Sequence, residues 1–146
     1  MRRVDSVEQM RSLGEQLSHQ LQPGDIIVLH GPLGAGKTAL TQGIGYGLEI
    51  KDITSPTFVI SRVHQGSVRL NHVDAYRLLG VAQSAFQFDD LDIDIENAIT
   101  VIEWGSGIVD RLHADYLLVE IEFGSDENQR IVNVVGHGKR WQGFHL

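Results

Sequence analysis

The stretch that decides the fold is Ile26-Ile27-Val28-Leu29-His30-Gly31-Pro32-Leu33-Gly34-Ala35-Gly36-Lys37-Thr38. It begins with a continuous run of β-branched and aliphatic residues, which is typical of a strand buried on both faces in a parallel sheet. Residues 31–38 match the pattern G-x-x-x-x-G-K-[ST], and a helix is predicted from about Lys37 to Leu48. A strand, a glycine-rich loop and a helix in this order predict a P-loop, which is a phosphate-binding turn.

The residue types of this loop suit the binding of a nucleotide. Glycines let backbone N–H groups point inward and form a concave nest for phosphate oxygens, and the start of the following helix adds its own N–H groups. We expect these amides to lie between Gly34 and Thr38, so that Pro32, which has no N–H, is tolerated. Lys37 would bridge the outer phosphates of ATP and is predicted to be catalytic, and the Thr38 hydroxyl would coordinate Mg²⁺. The predicted nucleotide-binding segment is Leu33, Gly34, Ala35, Gly36, Lys37, Thr38 and Ala39.

Outward from the loop, the rest of the chain reads as further helices and strands. Ser6-Val7-Glu8-Gln9 has the form of a capping box and predicts a first helix that runs to about Gln20. Alternating segments predict two antiparallel hairpins, one from 57–63 with 68–74 and one from 116–123 with 130–135.

The segment before the next buried strand is less clear. The pattern over 80–97 is ambiguous and favours a helix followed by an acidic loop, and residues 98–102 again read as a buried strand. We therefore predict one α/β domain over 1–146. Its expected architecture is a P-loop NTPase-like three-layer sandwich, with a mixed parallel and antiparallel central sheet flanked by helices.

Two carboxylates follow predicted strands and are the candidates for catalysis. Glu103 ends the strand over 98–102, where a parallel strand delivers its side chain to the carboxyl edge of the sheet beside the P-loop. We assign it to the metal, and Asp74, at the end of a hairpin strand, to the orientation of water. The alternatives are a solvated strand end for Glu103, and for Asp74 a helix cap or a structural partner of Arg77. His72 is interpreted as a satisfied strand histidine that orients Asp74, with a metal ligand as the alternative.

Hydroxyl groups between the P-loop helix and the first hairpin have two interpretations. Thr54-Ser55-Pro56-Thr57-Phe58 lies where nucleotide switches place a hydroxyl that senses Mg²⁺ or the terminal phosphate. A simple Ser-Pro turn is the other interpretation.

Composition excludes several classes of function. With 12 Lys and Arg against 19 Asp and Glu, the net charge of -7 argues against a self-sufficient nucleic-acid binder. The absence of cysteine excludes disulfides, thiol catalysis and cysteine-based zinc sites. No apolar run approaches the about 20 residues that span a bilayer. We expect a cytoplasmic protein without a membrane segment.

Four motifs together carry a resemblance to a known family. They are residues 31–38, Ser55-Pro56-Thr57-Phe58, His72-Val73-Asp74-Ala75-Tyr76-Arg77 and Val101-Ile102-Glu103-Trp104. In this order they resemble the TsaE (formerly YjeE) family of bacterial P-loop ATPases, over nearly the whole chain. The resemblance implies ATP hydrolysis within the machinery that forms N6-threonylcarbamoyladenosine in tRNAs reading codons that begin with A. It also implies TsaD and TsaB as protein partners, with tRNA met only indirectly.

The resemblance also implies roles for single residues. Thr38 and Glu103 would hold Mg²⁺, Asp74 would be needed for hydrolysis, Trp104 would lie beside the site, and Arg130 resembles the family's basic residue near the nucleotide. The P-loop alone leaves two other functions open, a small-molecule kinase and a non-hydrolytic nucleotide switch that docks to a partner. A kinase needs an acceptor pocket and an arginine-rich lid, and the sequence shows neither.

Overall fold

The computed structural model describes residues 1–53, 61–74, 94–103 and 115–146. Its elements in chain order are β1 (Arg2–Val4), α1 (Val7–Ser18), β2 (Ile26–His30), α2 (Lys37–Gly47), β3 (Ser61–His64), β4 (Arg69–Asp74), β5 (Ala98–Glu103), β6 (Tyr116–Phe123), β7 (Arg130–His137) and a short 3-10 helix (Lys139–Trp141).

The seven strands form one mixed sheet in the order β1-β7-β6-β2-β5-β4-β3. The four central strands β6, β2, β5 and β4 run parallel, while β3, β7 and β1 pair antiparallel with their neighbours. The predicted α/β fold with a mixed sheet is confirmed, and so is the C-terminal hairpin. The carboxyl ends of β2, β5 and β4 therefore meet at one edge of the sheet.

Both helices begin where the sequence predicts. The Ser6 hydroxyl accepts a hydrogen bond from the backbone N–H of Gln9 at 3.1 Å, which caps α1. The helix ends at Ser18, two residues before the predicted end at Gln20. Gly14 and Gly43 lie at the crossing of the two helices, because a Cβ on Gly14 would lie 2.2 Å from the carbonyl oxygen of Leu40. The crossing is thus a close backbone contact that only glycine permits.

The core lies between the helices and the sheet. Met10 and Leu13 of α1 and Leu40 of α2 are buried in one cluster with Ile27 and Val101 of the central strands. Strand side chains alternate between faces. Val28 and Ile102, which point to the opposite face, are also fully buried, so the central strands are covered on both sides, as expected of strands with continuous apolar runs.

Some predictions differ from the structure or fall outside its described part. The strand β1 was not predicted, since three residues with a single buried side chain, Val4, are too few for a periodic pattern. Two predictions fall mostly outside the described residues. The strand predicted over 57–63 is described only from residue 61, and the ambiguous segment over 80–97 only from residue 94. Within the part of the chain that is described, neither helix has the length and apolar character needed to cross a bilayer.

Candidate functional site

The glycine-rich loop connects β2 to α2 and has the backbone shape that its glycines predict. Gly34 and Gly36 adopt φ angles of 80° and 114°, in the left-handed region that glycine enters without strain. Gly36 is the N-cap of α2 and provides no side-chain hydrogen bond to the first turn. The N–H groups at the start of α2, with the positive end of the helix dipole, therefore remain available to an anion.

Hydrogen bonds within the loop change one detail of the prediction. The N–H of Ala35 donates to the carbonyl oxygen of Pro32 at 3.1 Å, and the N–H of Leu40 donates to that of Gly36 at 2.9 Å. The Ala35 amide, which the sequence places among the phosphate-facing groups, is thus engaged in a turn within the loop. Pro32 is accommodated because this turn uses its carbonyl group and needs no N–H from it.

Lys37 is buried at the base of the loop. Its Nζ donates hydrogen bonds to the carbonyl oxygens of Gly31 at 2.7 Å and Pro32 at 2.9 Å. Burial lowers the pKa of Lys37 below its usual 10.5, and the negative charges of Glu103 and Asp74 oppose this shift. The ammonium group is therefore held by the loop itself, within electrostatic reach of both carboxylates.

Glu103 and Asp74 lie side by side at the carboxyl edge of the sheet. In the parallel pairing of β4 with β5, Asp74 is opposite Glu103, and in the pairing of β2 with β5, Glu103 is opposite Leu29. Glu103 is only 4% exposed, which excludes a solvated strand end, whereas Asp74 is half-buried. Arg77, the alternative partner of Asp74, lies outside the described residues. The structure thus brings together the three residues predicted to be catalytic: Lys37, Asp74 and Glu103.

The carboxylate of Glu103 suits a magnesium ion. Its Oε1 is buried, and no described residue forms a hydrogen bond with it; leaving such an oxygen unpaired costs about 1–3 kcal/mol. Thr38, the other predicted ligand, is half-buried in the first turn of α2. Among the described residues, no group of three or more His, Cys, Asp or Glu is arranged to hold a metal. Mg²⁺ is often held by one or two protein oxygens together with substrate phosphates and waters, and Glu103 and Thr38 could supply such oxygens.

His72 lies against Glu103. Its Nε2 is 3.5 Å from Glu103 Oε2, and both side chains are buried. The sequence predicts a satisfied histidine that orients Asp74, but no described residue forms a hydrogen bond with either ring nitrogen of His72. The ring of His64 on β3 lies 6.4 Å from that of His72. Burial lowers the pKa of His64, and the neighbouring His72 and Arg62 lower it further.

Arg130 reaches the P-loop from the C-terminal hairpin. Its Nε donates to the carbonyl oxygen of Ala35 at 3.2 Å and its Nη2 to that of Gly34 at 3.3 Å. On the other side, its Nη1 donates to the carbonyl oxygens of Glu127 at 2.8 Å and Gln129 at 2.9 Å. The residue predicted to lie near the nucleotide therefore joins the outer side of the loop to the turn of the hairpin.

A pocket of about 270 Å³ opens beside the loop and was not anticipated from the sequence. It lies between residues 5–8 at the start of α1, Gly34–Gly36 of the loop, and Asn128 with Arg130 of the hairpin, and Met10 and Ala39 also line it. The capping box locates the start of α1 along the chain. Nothing in the sequence places that helix start next to the loop, because the contact depends on how α1 packs on α2.

The remaining predicted site residues divide into two groups. Leu33 stands at the exposed tip of the loop, 87% accessible to solvent, and Ala39 is half-buried in the first turn of α2. Residues 54–58, with the hydroxyl groups of the predicted switch segment, and Trp104 lie outside the described residues.

Comparison with known proteins identifies relatives over most of the chain. A family model described as "Threonylcarbamoyl adenosine biosynthesis protein TsaE" matches residues 4–132. A protein of Streptomyces coelicolor named "tRNA threonylcarbamoyladenosine biosynthesis protein TsaE" is 44% identical over 139 residues, which cover 90% of this chain and 93% of the relative. A Mycobacterium tuberculosis protein of the same name is 45% identical over 134 residues, 86% of this chain and 80% of the relative.

A solved structure has the same fold. The crystal structure of Bacillus subtilis YdiB superposes with a TM-score of 0.78 at 27% sequence identity, and the match covers 97% of this chain and 87% of YdiB. The family match spans the P-loop of residues 31–38 and both edge carboxylates, Asp74 and Glu103. This chain therefore belongs to the TsaE family of tRNA threonylcarbamoyladenosine biosynthesis proteins.

Proposed function

We propose that this protein binds ATP with Mg²⁺ at the P-loop and hydrolyses it as an accessory subunit of the machinery that forms N6-threonylcarbamoyladenosine in tRNA. The observation that carries the proposal is the buried Oε1 of Glu103, which no described residue pairs with, at the sheet edge within electrostatic reach of Lys37. A carboxylate in this position would suit Mg²⁺, which would supply positive charge beside a bound triphosphate.

Each site residue has a distinct task in this proposal. Lys37 exchanges its two carbonyl contacts for oxygens of the outer phosphates, and the first-turn amides of α2 bind the same phosphates. Thr38 and Glu103 would hold Mg²⁺, and the chemistry that this ion would supply is the neutralisation of charge on the phosphate oxygens. Asp74, next to Glu103 on the neighbouring strand, orients the attacking water through a hydrogen bond. Hydrolysis by the protein alone is slow, because an isolated P-loop lacks an arginine supplied by a partner.

The pocket beside the loop is the proposed position of the nucleoside. It adjoins Gly34 and Gly36 on one side and the start of α1 on the other, so a ribose and base extending from phosphates in the loop would enter it. Its volume is close to the lower end of ordinary ligand pockets. Ala39, in the first turn of α2, lines this pocket.

The proposed partners are TsaD and TsaB, and tRNA is reached only through that complex. The family's biosynthetic role supports a place in the tRNA-modification machinery. The net charge of -7 supports an indirect contact, because a protein that binds tRNA by itself needs basic surface to neutralise phosphates. We propose that the protein acts in the cytoplasm.

The test measures ATP hydrolysis with Mg²⁺, with and without the cognate TsaB–TsaD complex, for the wild type and two variants. Glu103→Gln should abolish hydrolysis above background and retain some nucleotide affinity. The control Glu122→Gln alters an exposed carboxylate on the opposite face of the sheet and should behave as wild type. Wild-type protein that binds ATP but never hydrolyses it, with Glu103→Gln fully functional in the complex, would identify a non-hydrolytic switch. Transfer of phosphate to a metabolite would identify a kinase.

A further inference from the structure

His72 occupies a position that ordinary packing does not explain. It is fully buried on β4, on the same face of the sheet as Glu103 of β5, and neither of its nitrogens is hydrogen-bonded to any described residue. A buried polar group without a partner costs about 1–3 kcal/mol, and a leucine would fill the space without that cost. The carboxylate oxygen Oε2 of Glu103 lies 3.5 Å from Nε2 of His72.

The separation of the two groups is just beyond a hydrogen bond. An N–H···O bond spans about 2.7–3.2 Å, so a movement of the Glu103 carboxylate by about 0.5 Å closes the gap. Contacts of this kind are often long in unliganded proteins and shorten when the ligand binds. A neutral imidazole carries one N–H and one lone pair, and the carboxylate opposite Nε2 favours the tautomer with the proton on Nε2.

The two oxygens of Glu103 then have different tasks. Oε2 faces His72, whereas Oε1 is the buried oxygen that no described residue pairs with. Carboxylates that bind metals are commonly hydrogen-bonded by a neighbouring side chain, which fixes their orientation. His64 is not positioned to hydrogen-bond Glu103. It lies on β3, and β4 with His72 stands between β3 and β5 in the sheet.

We propose that His72 is a positioning residue, whose Nε2–H holds Glu103 by Oε2 so that Oε1 faces the magnesium ion. The inference rests on the proposed function, since it assigns a role relative to the Mg²⁺ of that site. It adds a residue that touches neither the nucleotide nor the metal.

The experiment compares variants of His72 in their Mg²⁺-dependent binding of ADP, measured by calorimetry. His72→Leu keeps the bulk and removes the donor. His72→Gln keeps an N–H at about the position of Nε2, whereas His72→Asn places its amide near Nδ1. His64→Leu is the matched control, because it removes a half-buried histidine of the same face, which also has a buried Nε2 that no described residue pairs with, without touching Glu103. ADP affinity in EDTA is measured for every protein, and thermal unfolding shows which variants fold.

The Mg²⁺ concentration for half-maximal effect should rise about 10–100-fold in His72→Leu and His72→Asn. It should stay within about threefold of the wild-type value in His72→Gln and His64→Leu. ADP affinity without metal should be unchanged throughout. If His72→Leu does not fold, the comparison of the Gln and Asn variants decides.

Two results would overturn the inference. The first is a half-maximal Mg²⁺ concentration in His72→Leu that equals the wild-type value. The second is the same half-maximal Mg²⁺ concentration in His72→Gln and His72→Asn, which would mean that the histidine only fills space. Wild-type protein whose ADP binding ignores Mg²⁺ would instead overturn the proposed function itself.

Discussion

Arg130 offers a sharp test of how the P-loop is held in shape. Its guanidinium group donates to the carbonyl oxygens of Gly34 and Ala35 and does not point into the loop's nest of amides. We therefore expect Arg130 to stabilise the conformation of the empty loop, so that the amides are already arranged when phosphate arrives. Arg130→Met puts an apolar side chain of similar length in place of the guanidinium group, whose Cζ lies 4.7 Å from the centre of the Phe123 ring, and the hydrogen bonds are lost.

The expected loss follows from the geometry of these bonds. At 3.2 and 3.3 Å they are near the long end of the range, and the guanidinium is partly exposed. We assign about 0.5–1 kcal/mol to each. The sum of about 1–2 kcal/mol corresponds to a rise of about 5–30-fold in the Kd for nucleotide.

Calorimetric titration with ADP and with pyrophosphate separates the possible roles of Arg130. Loop stabilisation predicts the same loss for both ligands, because both need the same amides. The matched control is Arg140→Met, which removes an arginine that bonds Asp25 and the carbonyl of Gln20 away from the loop and should leave both affinities unchanged. A loss for ADP alone would mean that Arg130 contacts the nucleoside, and affinities within twofold of wild type would refute the reasoning altogether.

Four further predictions follow from described contacts. Ala39→Phe should fill the pocket beside the loop and weaken ADP at least about tenfold while sparing pyrophosphate, in the same titrations. The pKa of Lys37 is lowered in the folded protein, so the unfolded chain binds more protons between that pKa and 10.5. The free energy of unfolding, measured by urea titration, should therefore rise with pH in this window. Lys37→Met should make the rise smaller. Arg140→Met should cost about 2–3 kcal/mol of stability, since it leaves the 5%-exposed Asp25 carboxylate without its bidentate partner at 2.9 Å; equal urea midpoints for wild type and variant would contradict this. Gly43→Ala should cost about 1–3 kcal/mol or more, because its Cβ would lie 2.0 Å from the carbonyl oxygen of Arg11, and the exposed Ser12→Ala on α1 should show no such loss by the same assay.

The elements that the sequence predicts well are those with a local signal. The capping residue Ser6, the apolar runs of β2 and β5 and the glycines of the loop each specify their structure through nearby residues. The strand β1 lacks such a signal. It exists because Arg2–Val4 pairs with residues 130–132 of β7 at the edge of the sheet, a contact between the two ends of the sequence.

The site divides in the same way. One edge of the sheet carries Lys37, Asp74 and Glu103. The two carboxylates end the parallel strands β4 and β5, and Lys37 follows the loop after β2. The carboxyl ends of parallel strands meet at one edge, so the order of the elements is enough to predict this grouping. The contacts of Lys37 with Gly31 and Pro32 follow from the loop's own folding. No pattern of residues indicates them in advance, because main-chain carbonyls accept hydrogen bonds whatever side chain they carry.

The contact between His72 and Glu103 shows why register limits inference from sequence. His72 and Asp74 are two apart on one strand, so their side chains share a face, but their Cα atoms are separated by about 6.6 Å along the strand. Neighbouring strands lie only about 4.8 Å apart. His72 can therefore approach a residue of β5 that lies diagonally across from it. That residue is Glu103 only because the register of the two strands places Val101 opposite His72. A shift by one residue would turn Glu103 to the other face, and His72 would then face Thr100 and Ile102 on β5 instead.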